Sequence, residues 1–373
     1  MAALNLYTFN FRESQDIKKF LQRAVVLICI TILPFTTVNF IVDPEQYFRK
    51  SRFYTVIFDE NERFQNPGLA KHYNYDAILI GTSLSWGFDT DYIDRALNVR
   101  SLKLAMAGSY IHEQYLMARL AIKTGKVKRV IWEIAPERLK NKVISFADKK
   151  SFPLYLYDES AANDLFYLFD PYLLEVYGKY VDYFITGKYK NQRSLKTLHV
   201  LDEEILKLYS KTKVLERLNQ EIAENRPFAL KSIIPQAEAE KNIDTNIIAL
   251  IKDNPRIRFD LYFPPSNILY HVFNYRTDRV FFYDLLELKE VFARKLAGYA
   301  NAKLFDFEHI EKITFDLNNY KDFRHYSPGI NKEIIDSIGR GDYLCTADNI
   351  KICNSKIIKH VQAFTMEAVK DIR

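Results

Sequence analysis

The sequence predicts an α/β protein with a parallel sheet, fronted by one N-terminal transmembrane helix. Three observations carry that expectation. A charge-free apolar run lies near the N-terminus, short apolar segments alternate with helical patterns downstream, and serine, aspartate and histidine fall at loop positions next to those elements.

The apolar run reads AVVLICITILPFTTVNFIV from Ala24 to Val42, bounded by Arg23 and Asp43. That length spans a hydrocarbon core of about 30 Å. A cleaved signal peptide competes with a retained anchor, but the preceding segment is long and no A-x-A cleavage pattern follows. A buried soluble helix is disfavoured because the run has no polar face. Basic residues flank both sides, Arg12, Lys18, Lys19 and Arg23 before it and Arg49, Lys50 and Arg52 after it. The charge asymmetry that sets topology is therefore weak.

The 373 residues exceed ordinary single-domain size, and 48% hydrophobic content with 27% charge describes a chain able to bury a core. The net charge of +6 is spread rather than gathered, which gives no support to nucleic-acid binding. Three cysteines form no C-x-x-C pair. Cys345 and Cys353 could bridge in an oxidising compartment or stay as two thiols, and the spacing does not decide.

Residues 1–23 read as a tail, 24–42 as the helix and 43–75 as a connector. A domain over 76–340 follows, then an extension over 341–373. Within the domain, DAILIG (76–81) reads as a buried strand ending at glycine, with further strands at 100–104 and 127–134 separated by the helical HEQYLMARLAIKTG. The rhythm resumes with IRFDLYF (257–263), a helix from about Phe282 to Ala300, and AKLFDF (302–307). Between these blocks, 140–252 reads as a mainly helical insertion. Leu201, Ile205, Leu208, Leu215, Leu218 and Ile222 mark an amphipathic helix in it. Its first part is rich in rings, among them Phe152, Tyr157, Tyr167, Tyr172, Tyr180 and Phe184. A core of the insertion's own is the favoured reading, against a lid over the site or a surface lying on a bilayer.

The strand DAILIG runs directly into Thr82, Ser83, Leu84 and Ser85. In an open parallel sheet ligands bind beyond the carboxyl ends of the strands, so Ser83 stands where a reactive hydroxyl is useful. A helix starting just after it would add N–H groups and a positive dipole end for a developing oxyanion. A serine capping a helix is the plain alternative. A second motif lowers its weight: NNYKDFRHYSPGI holds Asp322 and His325 three residues apart before a helix. A serine nucleophile needs a base, and an imidazole base needs a carboxylate to fix its tautomer. The remaining histidines show no metal-ligand spacing, His112 being the one close enough to Gly108 to line a pocket, and the diproline in FPPSN most simply ends a strand, with the loop after it open to bordering the site.

On GTS at 81–83 and DFRH at 322–325, in the order Ser, Asp, His, the chain resembles the SGNH/GDSL hydrolase superfamily. The anchor followed by VNFIVDP resembles its membrane-anchored bacterial branch. The resemblance implies a flavodoxin-like three-layer sandwich with a parallel sheet, lying outside the cytoplasm on the periplasmic or outer face. It implies Ser83 as nucleophile, His325 as acid and base, Asp322 as its orienting carboxylate, and the N–H groups of Ser83 and Gly108 as oxyanion donors. No metal or organic cofactor is implied. The family's third oxyanion donor, an asparagine after the third strand, has no match, since WEIAPERL carries Glu133 and Glu137 instead. The expected activity is hydrolysis or transfer of an acyl ester, with a cell-envelope carbohydrate as the expected partner. A catalytically silent envelope protein that binds a polysaccharide or an assembly partner is the rival.

Overall fold

A computed structural model describes residues 11–52, 54, 56–57, 61–139, 152–160, 162–187, 206–223 and 235–364. The first element, α1 (Phe11–Val42), runs on from the apolar stretch into the preceding polar turns. Residues Gln15–Val42 within it are long and apolar enough to cross a membrane, and almost none of that helix is buried by protein. Its hydroxyls are satisfied inside the helix, Thr31 Oγ1 donating to the Leu27 carbonyl at 2.9 Å and Thr36 Oγ1 to that of Ile32 at 3.1 Å.

The region expected as a connector is instead part of the folded body. It contains α2 (Glu62–His72), whose Glu62, Arg63, Gln65 and Asn66 are buried beside Phe64 and Leu69. The polar sequence hid this because Arg63 and Asn66 find their partners far along the chain. Arg63 pairs with Glu113 at 2.8 Å, and Asn66 Nδ2 donates to the Ala105 carbonyl at 3.2 Å.

The sheet follows with β1 (Ala77–Ile80), α3 (Thr90–Leu97), β2 (Ser101–Lys103), α4 (Ile111–Lys123) and β3 (Arg129–Glu133). Gly125, just past α4, takes φ +73°, the left-handed conformation that ends a helix without steric cost. After β3 come α5 (Leu165–Phe169), α6 (Tyr172–Thr186) and α7 (Lys211–Ala223). A continuous helical segment then joins α8 (Gln236–Ile243), a π-turn over Asp244–Ile248 and α9 (Ala249–Asp253). Next come β4 (Arg258–Phe263), α10 (Ile268–Thr277), α11 (Arg279–Leu296) and β5 (Ala302–Asp306), and finally α12 (Pro328–Arg340), β6 (Leu344–Cys345) and α13 (Ile350–Ala363).

The strand order is β2-β1-β3-β4-β5-β6. The first five are parallel, with Leu79 opposite Lys103 and Ile131, and Leu261 opposite Trp132 and Leu304. The sixth corrects the expectation of a wholly parallel sheet, because Leu304 faces Cys345 antiparallel. The short return from α12 brings the chain back along the open edge of β5, so the segment after residue 340 belongs to the domain rather than extending from it. Helices cover both faces. Side chains alternate along each strand, Ile78, Ile80, Val130, Trp132, Leu261 and Leu304 entering one core and Leu79, Ile131, Tyr262 and Phe305 the other.

The insertion is shorter than its expected range of 140–252, since α8 to α9 pack on the sheet as the crossover into β4, with Ile243, Ile247 and Ile251 buried. The expected amphipathic helix is also revised. It begins at Lys211, with Leu201 and Ile205 outside the described residues, and it buries Val214 and Leu218 while Leu208 and Ile222 stay exposed. Phe152, Tyr157, Tyr167, Tyr172 and Tyr180 join the main core beside Tyr47 and Phe64 instead of forming a separate one.

Candidate active site

The nucleophile position is built where β1 ends. Gly81 is required there, because a Cβ would stand 2.3 Å from Ser85 Oγ and 2.7 Å from Glu133. The chain then makes a single 3₁₀ turn over Ser83–Ser85, and the next helix starts only at Thr90, capped by Asp89. This corrects the expected helix immediately after Ser83. The reason is local: Thr82 caps the short turn, its Oγ1 accepting from Leu84 N at 3.3 Å, while Thr82 and Ser85 are both drawn down to Glu133.

Glu133, at the end of β3, accepts from Thr82 Oγ1 at 2.6 Å, Ser85 Oγ at 2.6 Å and Thr82 N at 3.2 Å. Burial raises its pKa, against the lowering pull of those donors. The residue found where the resemblance calls for an oxyanion amide thus pins the nucleophile turn from below. Beneath the same turn Lys103 Nζ donates to the carbonyls of Trp86 and Phe88, each at 2.6 Å, and burial lowers its pKa to about 7.

The 322–325 loop reaches the turn from the other block of the sheet. Ser83 Oγ lies 3.0 Å from His325 Nε2, and His325 Nδ1 lies 2.7 Å from Asp322 Oδ2. A carboxylate can only accept, so the ring presents Nδ1–H to Asp322 and leaves Nε2 to accept the Ser83 hydroxyl. The second oxygen of Asp322 accepts the backbone N–H groups of Arg324 and His325, both at 2.8 Å. Burial would raise the Asp322 pKa, but the bond from the His325 ring, its charge and the two backbone donors outweigh it and hold the group at about 2.

Two further residues fix this loop. Asn267, in the FPPSN segment read as a strand stop whose following loop could border the site, donates from Nδ2 to the Asp322 carbonyl at 3.0 Å and accepts Tyr270 N at 3.2 Å, capping α10. Arg324 is paired with Glu137, which ties the histidine loop to the segment after β3. Sequence reasoning missed the roles of Asn267, Arg324, Glu133 and Glu137. The available signal was that each stands at or just beyond the carboxyl end of a strand or inside the DFRH motif.

Gly108 sits in the loop after β2, at φ +61° with open space where a side chain would stand. That loop is held against the nucleophile strand, since Met106 N and Ser109 Oγ both donate to the Gly81 carbonyl, at 2.9 Å and 3.2 Å. Among the described residues no acceptor engages the Gly108 N–H. His112 is turned to another use, its Nδ1 2.9 Å from Asn246 Oδ1. A narrow cleft between the nucleophile turn and α12 is lined by Gly87, Phe88, Tyr92, Pro328, Asn331 and Ile335. The buried Asn331 amide has no hydrogen-bond partner among the described residues.

Elsewhere Asp306, His309 and Cys353 bring three ligand-type atoms within 4.8 Å of one another. Lys289 Nζ, 2.9 Å from the same Asp306 carboxylate and 2.7 Å from Glu308, already supplies the positive charge there and opposes a dication. Cys345 and Cys353 are both free thiols.

The assembled groups can polarise a serine hydroxyl, accept its proton and stabilise the resulting imidazolium. Comparison with known protein families and with curated proteins finds no match for the chain.

Proposed function

We propose that this chain is a membrane-tethered serine acyl hydrolase or O-acyltransferase of the SGNH/GDSL type. The observation that carries the proposal is the unbroken line from Ser83 Oγ through the His325 ring to Asp322, at 3.0 Å and 2.7 Å. The strand order, which reverses at β1 and leaves Ser83 at the carboxyl edge beside that reversal, supports a flavodoxin-like arrangement with its ligand site there.

In this reading His325 Nε2 takes the Ser83 proton as Oγ attacks an ester carbonyl, and Asp322 steadies the imidazolium. The N–H groups of Ser83 and Gly108 bind the oxyanion. Collapse expels the alcohol, which leaves with the proton from His325. A water or a sugar hydroxyl then gives up its proton to His325 and attacks the acyl-enzyme; as the bond from the acyl carbon to Oγ breaks, His325 passes that proton to Oγ, which releases the acid or the acylated sugar and restores Ser83. Nothing in these steps calls for a metal or an organic cofactor. An envelope carbohydrate as acceptor and a domain outside the cytoplasm rest on the family resemblance.

One observation favours the silent rival. The position of the third oxyanion donor is occupied by carboxylates already committed to hydrogen bonds and an ion pair. Loss of one such donor costs on the order of 3 kcal/mol in the transition state. The test is ester turnover by the full chain in detergent with short-chain nitrophenyl esters. Slow turnover abolished by Ser83→Ala supports the enzyme, and turnover equal in wild type and variant rejects it. Adding an envelope saccharide separates hydrolysis from transfer by the appearance of acylated sugar.

A further inference from the structure

Helix α6 carries two apolar faces, of which the protein covers one. Tyr172, Leu173, Val176 and Tyr180 are buried in the main core. On the opposite side Leu174, Val181 and Ile185 are 58%, 54% and 78% exposed, with Phe184 beside them at 72%. Their spacing of seven and four residues puts the first three in one stripe at 3.6 residues per turn. Gly178 lies within that stripe, while Glu175 and Asp182 fall to one side of it. The preceding α5 adds exposed Leu165, Phe166 and Phe169. So much outward apolar surface on two consecutive helices needs a covering phase.

The position of these helices says what that phase is. They are fastened to the last turn of α1: Asn39 Nδ2 donates to the Leu168 carbonyl at 2.7 Å, and Tyr177 OH donates to Asn39 Oδ1 at 2.9 Å. Immediately beyond, Tyr167 OH donates to Asp43 Oδ1 at 3.1 Å and Tyr172 OH to Glu45 Oε1 at 2.7 Å. If the charge-free run lies in hydrocarbon, residues 39–45 mark its exit, and α5 and α6 stand at that level. Arg49 stacks on the Phe40 ring at 4.4 Å from its centroid, at the same level. Aromatic and basic groups at an apolar exit are the pattern of a membrane interface.

We propose that α5 and the outer stripe of α6 are an interfacial membrane-binding element, seated at the acyl–headgroup boundary beside α1, so that the domain is held against the bilayer at two places rather than swinging on one helix. The occupant is the lipid surface itself. The segment that leads into α5, tied to the α5–α6 junction by Tyr155 OH donating to Asp170 Oδ2 at 2.9 Å, reaches the candidate site, since Tyr157 OH donates to the Arg63 carbonyl at 2.7 Å and Arg63 Nη2 to the Ala107 carbonyl at 3.1 Å, next to Gly108. The site is thereby held in a fixed orientation to the membrane, which suits an acyl donor presented from the lipid phase. The inference rests on α1 spanning the membrane and is independent of the acyl-transfer chemistry.

The experiment places single nitroxide labels on the full chain in phosphatidylethanolamine–phosphatidylglycerol vesicles, with Cys29→Ser as background. Labels go to Leu174→Cys, Val181→Cys and Ile185→Cys, and for comparison to Glu175→Cys, Asp182→Cys and Lys351→Cys. Collision with oxygen over collision with a water-soluble nickel chelate should be at least several-fold higher at the first three, rising and falling with helical period. Equal, water-like ratios at all six positions overturn the proposal. So does spin–spin broadening at 174 and 181 that vanishes on dilution with unlabelled chain, which would make the occupant a second copy. A label on native Cys29 separates the premises: a lipid-like Cys29 with water-like α6 rejects the interfacial element alone, and a water-like Cys29 rejects the anchor and the element together. Fluorophosphonate capture of Ser83 in the same vesicles scores the chemistry separately.

Discussion

Removing Glu137 should loosen the histidine loop by an amount that the structure fixes within a narrow range. Its carboxylate is the partner of the Arg324 guanidinium, and the two side chains are 9% and 22% exposed. Burial would lower the Arg324 pKa, but the Glu137 charge and hydrogen bond, together with Tyr270 and Glu133, outweigh it, so the guanidinium remains a cation that needs a counter-charge. Breaking a fully buried pair costs about 3–5 kcal/mol because a charge is left unpaired. With a fifth of Arg324 still wetted, the cost falls to the lower limit of that range or just beneath it, about 2–3 kcal/mol. A total stability of about 5–15 kcal/mol leaves Glu137→Ala folded. Because the Arg324 and His325 N–H groups share one oxygen of Asp322, movement of Arg324 disturbs the imidazole directly. Turnover should then fall about 10- to 100-fold in kcat with little change in KM. Urea unfolding of the full chain in detergent and ester kinetics measure both effects. Arg324→Ala and the double variant close a cycle whose coupling should exceed about 1 kcal/mol. A Glu137→Ala loss below about 0.5 kcal/mol, or single effects that simply add in the double variant, refutes the reasoning.

Asn267→Ala removes a helix cap and the donor to the Asp322 carbonyl, so it should cost about 2 kcal/mol and reduce turnover, checked by the same urea and kinetic measurements. Burial would lower the His309 pKa, but attraction to the Asp306 carboxylate 3.6 Å away and to Cys353 lifts it to about 9. That raised value gives stability fully present below the unfolded value of 6.5 and lost as pH rises through about 9. The melting temperature of wild type should therefore lose its advantage over His309→Gln between pH 6.5 and 10, the comparison cancelling the opposite slope from Lys103; a constant difference contradicts it. Gly108→Ala should cost about 1 kcal/mol from left-handed backbone strain alone, since φ is +61° and no atom lies within 4 Å of the added methyl, and a larger urea shift would mean a steric conflict.

The strands were legible because they are short, largely apolar segments set between helical patterns and turn residues, so β1, β3, β4 and β5 fall within a residue or two of the segments read from sequence. The sign of the last strand was not, since Leu344 and Cys345 are too short a run to carry a period and their direction depends on the turn after α12. Helix α2 was hidden for a different reason. Its buried Arg63 and Asn66 look like surface residues until Glu113 and the Ala105 carbonyl are seen beside them. At the site, Asp322 and His325 were readable from one local motif and Ser83 from the strand end before it. Glu133 and Asn267 act only through tertiary contact with those motifs, over separations of 51 and 55 residues that no local pattern spans.

The most direct test of the central claim is reaction of the full chain with a fluorophosphonate, followed by mass spectrometry of the peptide that contains Ser83. A phosphonyl group forms on a serine oxygen only when a neighbouring base activates it and an oxyanion site receives the phosphoryl oxygen. The account predicts an adduct on Ser83, absent in Ser83→Ala and slowed at least about 100-fold in His325→Ala, the scale of general-base assistance. A folded wild-type chain that acquires no adduct on Ser83, or labels equally fast without His325, contradicts the account.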